Sequence, residues 1–253
     1  PIGDVDFVSY SINPQVHAFD NLSLIETLGA HIYTVETARS FCGQTPVIVG
    51  PVTFKMRRNP NATGPMPPTP PGELPETTDV RQMSLLGAGW TLGSLKYLAE
   101  SGVVSVTYYK TEGLEGIMQS ADGSPLPDKF PTLPGAKLYP MWQVFKAVTR
   151  FAGGEIIHSH ASQPLRVDGL VLRKDNDLAL LLANYTAQPQ TVRIAGLAEG
   201  YRGFTGFTMD AETVLDNAIR ADAYTPDQAF NLNGEGAISL PPYALVFLSG
   251  DVT

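Results

Sequence analysis

The sequence predicts a parallel α/β segment followed by an all-β module, and three observations predict it. Over residues 1–153, short β-branched runs alternate with helical periodicities. After Gly153-Gly154 the helical periodicity stops, and closely spaced strand-like runs take over. The 24 glycines and 21 prolines in 253 residues supply the turns that separate these runs.

Val5–Ile12 (VDFVSYSI) reads as the first strand, ended by Asn13-Pro14. Ser23 and Glu26 match a capping box, and Ile25, Leu28, Ile32, Val35 and Ala38 follow at helical spacing. Gly43 supplies the stop. Pro46–Phe54 (PVIVGPVTF) is nearly all apolar, as a strand covered on both faces of a parallel sheet should be. The loop from Lys55 to about Thr77 holds seven prolines and is longer than a plain connector, which marks it as a functional loop. A glycine-containing helix from about Asp79 to Glu100 follows, its glycines predicting close packing against a neighbour. Val103–Tyr109 is the third strand and Tyr139–Phe151 the third helix. The later runs, Leu165–Arg173, Asp177–Tyr185, Thr191–Ala195, Gly203–Asp210 and Ile238–Ser249, predict an antiparallel β-sandwich.

A (β/α)8 barrel needs eight βα units and typically about 250 residues. Here the α/β part supplies three. Parallel βα units that feed a final helix into a sandwich are arranged like the back end of many barrel glycosidases. The expected fold is therefore the C-terminal portion of a TIM barrel over residues 1–153, followed by a β-sandwich domain over 154–253. An open three-layer α/β domain is the alternative. Left alone, the first and third strands would be bare apolar edges. The expected partner is a missing N-terminal barrel half, in the same protein or in a companion chain. The start at Pro1, without a methionine, points the same way, to a processed chain or a piece of a longer one.

Composition narrows the function. Lys+Arg 17 against Asp+Glu 25 gives a net charge of −8, which argues against nucleic acid or an anionic membrane as partner. No run approaches the roughly 18 apolar residues of a membrane span, and no signal peptide opens the chain, so a cytoplasmic location is expected. The single cysteine, Cys42, excludes an internal disulfide and a cysteine zinc cluster, and its surroundings predict a packed thiol. His158 and His160 stand two apart with no further ligands in view, so no metal and no cofactor is expected. Nucleotide-binding and common serine or zinc hydrolase motifs are absent.

In a barrel, chemistry lies at the carboxyl ends of the strands. The first end offers Asn13, Gln15, His17 and Asp20, with His17 as acid/base or hydrogen-bonding group, Asn13 and Gln15 as substrate ligands, and Asp20 alternatively a helix cap. The second offers Lys55, Arg57, Arg58, Asn59 and Asn61, a set suited to an oxygen-rich substrate, with Arg58 and Asn59 as the binding candidates. The third offers Tyr108, Tyr109, Lys110, Glu112 and Glu115. Glu112 is the candidate general base or nucleophile, held by Tyr108 or Tyr109 and kept ionised by Lys110, with Glu115 its weaker duplicate.

The segments DFVSYSINPQVHAFD (6–20), PVIVGPVTFKMRRNPNATG (46–64) and SVTYYKTEGLEG (105–116) resemble D-apionate lactonases. The resemblance extends over essentially the whole chain and implies a place in the C-terminal part of a protein more than twice as long. It implies a glycosidase-like barrel with a β-sandwich, and a hydrolase that opens D-apionolactone to D-apionate in plant-sugar catabolism, with a small sugar lactone as substrate. That family often has an acidic residue after the tyrosine pair, where this chain has Lys110; Glu112 either substitutes for it or is unrelated. With the front of the barrel absent, this chain alone is expected to be inactive. A retaining glycosidase would need a second carboxylate, and Thr53-Phe54-Lys55 offers none at the strand end where that clan commonly carries its nucleophile. A non-catalytic carbohydrate-binding relative is the third possibility, and Lys110 favours it.

Overall fold

The computed structural model describes residues 4–59, 61–135, 138–197, 201–215, 228–230 and 237–252. The chain divides into two compact units, Pro1–Met83 with Tyr97–Tyr139, and Ser84–Lys96 with Pro140–Thr253.

In the first unit, β1 (Val8–Ile12), α1 (Asn21–Cys42) and β2 (Val47–Val52) form one βα unit closed by a parallel strand pair. The segment then passes through a short 3-10 turn at Val80–Met83 and α2 (Leu85–Glu100), whose last turn belongs to this unit, to β3 (Ser105–Tyr108). The three strands lie in the order β1-β2-β3, all parallel, with Val8 beside Val47 and Ile48 beside Ser105. Two short strands, β4 (Lys110–Glu112) and β5 (Gly116–Met118), fold the chain back on itself after β3.

The cap of helix α1 lies three residues before the Ser23 that the capping box proposed. Asp20 is the cap: its Oδ1 accepts the Ser23 amide at 2.9 Å and its Oδ2 the Ser23 hydroxyl at 2.6 Å. Aspartate is among the strongest caps, and here it recruits Ser23 as its donor. These bonds hold the Asp20 carboxyl below its ordinary pKa. Gly43 closes the helix at φ 58°, its amide bonded to the Arg39 carbonyl. His31 and Cys42 are buried on the apolar face, which Ile32 only half enters.

Among the described residues the sheet is covered on one face only. Val47, Val49 and Val52 of β2 are buried, and Tyr10 bonds Thr34 of α1 on the same side at 2.9 Å. On the opposite face Ser9, Ser11, Ser105 and Thr107 are exposed and Ile48 is half-buried. Alternation, not apolar run length, describes β2. Large apolar side chains are also open beside β1 and α1 (Val5, Phe7, Tyr33, Phe41) and beside β3 (Val104, 63% exposed).

The second unit contains most of α2, α3 (Met141–Arg150), and eight strands. These are β6 (Glu155–Ile157), β7 (Val167–Lys174), β8 (Asp177–Asn184), β9 (Gln190–Arg193), β10 (Tyr201–Met209), β11 (Gln228–Phe230), β12 (Ala237–Leu240) and β13 (Leu245–Val252). Six form a sheet in the order β11-β10-β13-β8-β7-β6, antiparallel at every pair; β12 and β9 form a second, two-stranded sheet. The single run expected over Ile238–Ser249 is two strands broken at Pro241-Pro242, because proline has no amide for a ladder.

Strand β8 is buried from Leu178 to Asn184. Leu178, Leu180 and Leu182 join Phe204, Ile238, Leu240, Val246 and Leu248 in the sandwich core. The other face meets α2, where a Cβ on Gly89 would lie 3.5 Å from Ala183, so this glycine gives the close approach that its sequence predicted. Buried Asn184 ties the turns together: its Nδ2 donates to the Gln188, Leu240 and Pro241 carbonyls and its Oδ1 accepts from Thr186. Each such bond contributes about 1 kcal/mol. Asn184→Ala should therefore destabilise the chain by about 3 kcal/mol, seen in urea as a lower midpoint with unchanged slope.

Candidate active site

The carboxyl ends of β1, β2 and β3 are held in register beyond the strands themselves. The Thr53 amide donates to the Ile12 carbonyl at 3.0 Å, the Tyr109 amide to the Val52 carbonyl at 3.1 Å, and Gln15 bridges to Lys55. A buried polar cluster lies here. Gln15 donates through Nε2 to the Phe54 carbonyl at 3.0 Å and to Asp79 Oδ2 at 2.5 Å. Arg81 donates to both Asp79 oxygens, at 2.9 and 2.7 Å, and also to Gln15 Oε1 and Asn21 Oδ1. Burial pushes the Asp79 carboxyl up, but the Arg81 fork and Gln15 outweigh it and hold the group below its ordinary pKa.

A second cluster gathers around Glu115. Its Oε1 accepts the Thr77 hydroxyl at 2.7 Å, and its Oε2 pairs with Lys110 Nζ at 2.9 Å. Burial pushes this carboxyl up, and the bonds from Thr77 and Lys110, with the charge of Arg57, carry it below the ordinary glutamate value. Arg57 Nη2 donates to the Tyr109 carbonyl at 3.0 Å. Tyr109 is a non-glycine residue at φ 46°, a left-handed conformation that costs of order 1–3 kcal/mol. It turns the chain from β3 into β4. Its buried ring stacks on Phe54, with centroids 5.3 Å apart. Gly116 lies so close to the Glu112 backbone that a Cβ there would collide with it.

These contacts place the sequence candidates. Gln15 is buried in the first cluster, so its amide is committed to Phe54, Asp79 and Arg81. Tyr109 is committed to packing, whereas Tyr108 is half-buried. Asn13 follows β1 and keeps a buried Oδ1 with no hydrogen-bond partner among the described residues. His17 and Arg58 are exposed, and Asn59 accepts the Asn61 amide at 2.9 Å in a local turn. Glu112 is exposed on β4. Lys110 pairs with Glu115, not with Glu112 as the sequence suggested, because the return through Gly116 brings Glu115 to it. Thr77, Asp79 and Arg81, which the sequence places only at the end of a loop and the start of a helix, complete the two clusters. The signal was a threonine pair and opposite charges two apart, closing the proline-rich loop.

Solved structures share this fold. An arabinofuranosidase matches 98% of the chain with TM-score 0.62 at 12% identity, over 53% of its own length. A family 44 endoglucanase from Clostridium acetobutylium matches 98% with TM-score 0.61 at 9% identity, over 47% of its length. A family 30 endoxylanase from Clostridium papyrosolvens C71 matches 99% with TM-score 0.58 at 8% identity, over 50% of its length. The fold is thus that of glycosidase-like barrel proteins carrying a sandwich module. Residues 1–153 match the D-apionate lactonase TIM barrel domain, and 164–248 match that family's C-terminal immunoglobulin-like domain. D-apionate lactonase of Brucella anthropi is 31% identical over 197 residues, 77% of this chain. The chain belongs to the D-apionate lactonase family. It spans 30% of the length of that curated relative. Among the described residues, no helix is long and apolar enough to cross a membrane.

The depressed Asp79 pKa makes the cluster acid-sensitive. A carboxyl whose folded pKa lies below its unfolded value contributes stability that is complete above the unfolded pKa, about 3.9, and is lost as pH falls through the folded one. Urea unfolding between pH 5 and 2 should show a shallower loss of stability for Asp79→Asn than for the wild type. Arg81→Met, which strips a buried carboxylate of its partner, should cost about 3–5 kcal/mol at pH 7.

Proposed function

We propose that this chain is the closing part of a TIM-barrel hydrolase that opens a sugar-acid lactone, D-apionolactone to D-apionate, with the remaining barrel units supplied by a longer protein or a companion chain. Family membership carries the reading of the reaction. The exposed sheet face and the open apolar side chains beside β1 and β3 support the barrel reading, because a free-standing unit would leave them in water.

Within the proposed site, Glu112 takes the proton of a water that attacks the lactone carbonyl carbon, and His17 is the second candidate for that role. Lys110 and Glu112 share one face of β4, since side chains alternate along a strand. Glu112 is thereby presented beside the Arg57–Glu115–Lys110 group. Arg57 spends one guanidinium donor on Tyr109, and its remaining donors face the developing oxyanion. The Asn13 amide orients a substrate hydroxyl, whose donor satisfies the open Oδ1. Arg58, Asn59 and Tyr108 complete the binding set. Collapse of the tetrahedral adduct breaks the bond to the ring oxygen, which takes a proton and leaves as a hydroxyl; the product is the open-chain hydroxy acid. Glu115, held by Thr77 and Lys110, positions the cations.

Acid release from D-apionolactone by the longer protein, followed with a pH indicator, tests the reaction. Glu112→Gln and His17→Ala should each lower kcat at least about 100-fold if they move protons. Near-normal rates would remove them from the mechanism, and aryl-glycoside cleavage without acidification would replace the lactonase reading by a glycosidase.

A further inference from the structure

We propose that the immunoglobulin-like unit is completed by an extended strand from outside these 253 residues, which adds to the edge of β9 that no described strand covers and fills the groove beside it. The proposal rests on the reading of this chain as one part of a longer protein.

The two sheets of the sandwich are unequal. Among the described residues six strands face two, and β9 is an outer strand of the smaller sheet. Ile238 and Leu240 of β12 belong to one core cluster with Phe204, Val246 and Leu248. A cavity of about 960 Å³ opens between β9 and the β8, β7 and β6 side of the larger sheet. Leu178, Leu180 and Leu182 contribute to its floor, and Val167, Val171 and Ile194 are only partly covered there.

The chemistry of this groove selects a peptide strand. On its second side β9 pairs with no strand among the described residues, so a row of backbone amides and carbonyls adjoins an apolar floor. An added strand satisfies both at once, giving main-chain bonds to the edge and alternate apolar side chains to the floor. Four residues of β9, continued by the lining segment through Leu197, offer the length of an ordinary strand. No phenylalanine, tyrosine or tryptophan lines the groove among the described residues, so it lacks the flat apolar surface on which a sugar ring packs. The rim carries Arg166, Arg193, His158 and His160, while its carboxylate, Asp168, is buried against Lys96 at 3.6 Å. The occupant is therefore a strand of alternating apolar residues with acidic groups on its outer side.

The curated relative extends well beyond the matched segment, and the arabinofuranosidase and the family 44 endoglucanase match along about half of their lengths. A second copy of this chain would instead pair β9 with β9, and Arg193 and Arg166 would then meet their own like charges, which disfavours it.

Single cysteines placed at Val171 on the floor and Ala195 on the rim test the proposal, with buried Cys42 as the slow internal reference. The 253-residue chain and the longer protein are alkylated with a maleimide, and modification is followed by mass spectrometry. Both new thiols should react at least tenfold more slowly in the longer protein, and amides of Gln190–Arg193 should exchange more slowly there. Equal rates in the two proteins would overturn the proposal. So would slowing in the short chain that grows with its concentration, which would assign the groove to a second copy. A longer protein without lactonase activity but with shielded thiols would remove the proposed reaction and leave the strand in place.

Discussion

Taking the Asp79 carboxylate out of water costs several kcal/mol unless fixed charge and hydrogen bonds replace its hydration. The strand ends of the first unit are arranged to meet that requirement. Arg81 grips both oxygens, Gln15 donates to one of them, and Gln15 also donates to the Phe54 carbonyl. One carboxylate thus fastens the segment after β1, the segment after β2 and the close of the proline-rich loop. The neighbouring Thr77 inherits that fixed position and delivers its hydroxyl to Glu115, which in turn holds Lys110. The site is organised outward from a buried ion pair, with the exposed candidates Glu112, His17 and Arg58 at its periphery.

This arrangement separates residues that support the site from residues free to act in it. Gln15 and Tyr109 have their polar or aromatic surface engaged inside the protein, so they set geometry. Asn13, with an open buried acceptor, and Glu112, exposed on β4, retain chemistry for a substrate. The strained backbone at Tyr109 belongs with the first group: its ring on Phe54 and its carbonyl on Arg57 compensate for the unfavourable φ.

Strand and helix order were legible from the sequence because periodicity reports burial directly, as in α1 and β7. The cap of α1 misled because Ser23-Glu26 satisfies a local rule that Asp20, an equally good cap, meets three residues earlier. Among the described residues β2 is covered on one face only, because an apolar run does not say which elements are present to cover it. Short strands such as β4, β5 and β6 carry three residues each, too few for a period to register. At the site, strand-end logic found Asn13, Arg57, Lys110, Glu112 and Glu115. Proximity along the chain suggested that Lys110 serves Glu112; the fold-back at Gly116 decides otherwise. Asp79 and Arg81 were hidden because they pair with Gln15, more than sixty positions away, and long-range pairs leave no local pattern.

The most direct measurement of this account is a double-mutant cycle between Gln15→Met and Arg81→Met, read by urea unfolding at pH 7. If the two side chains share the Asp79 carboxylate as one network, their effects should deviate from additivity by about 1–3 kcal/mol. Effects that add to within about 0.5 kcal/mol would contradict it, leaving Gln15 and Arg81 as independent contacts and the strand ends without a common fastening.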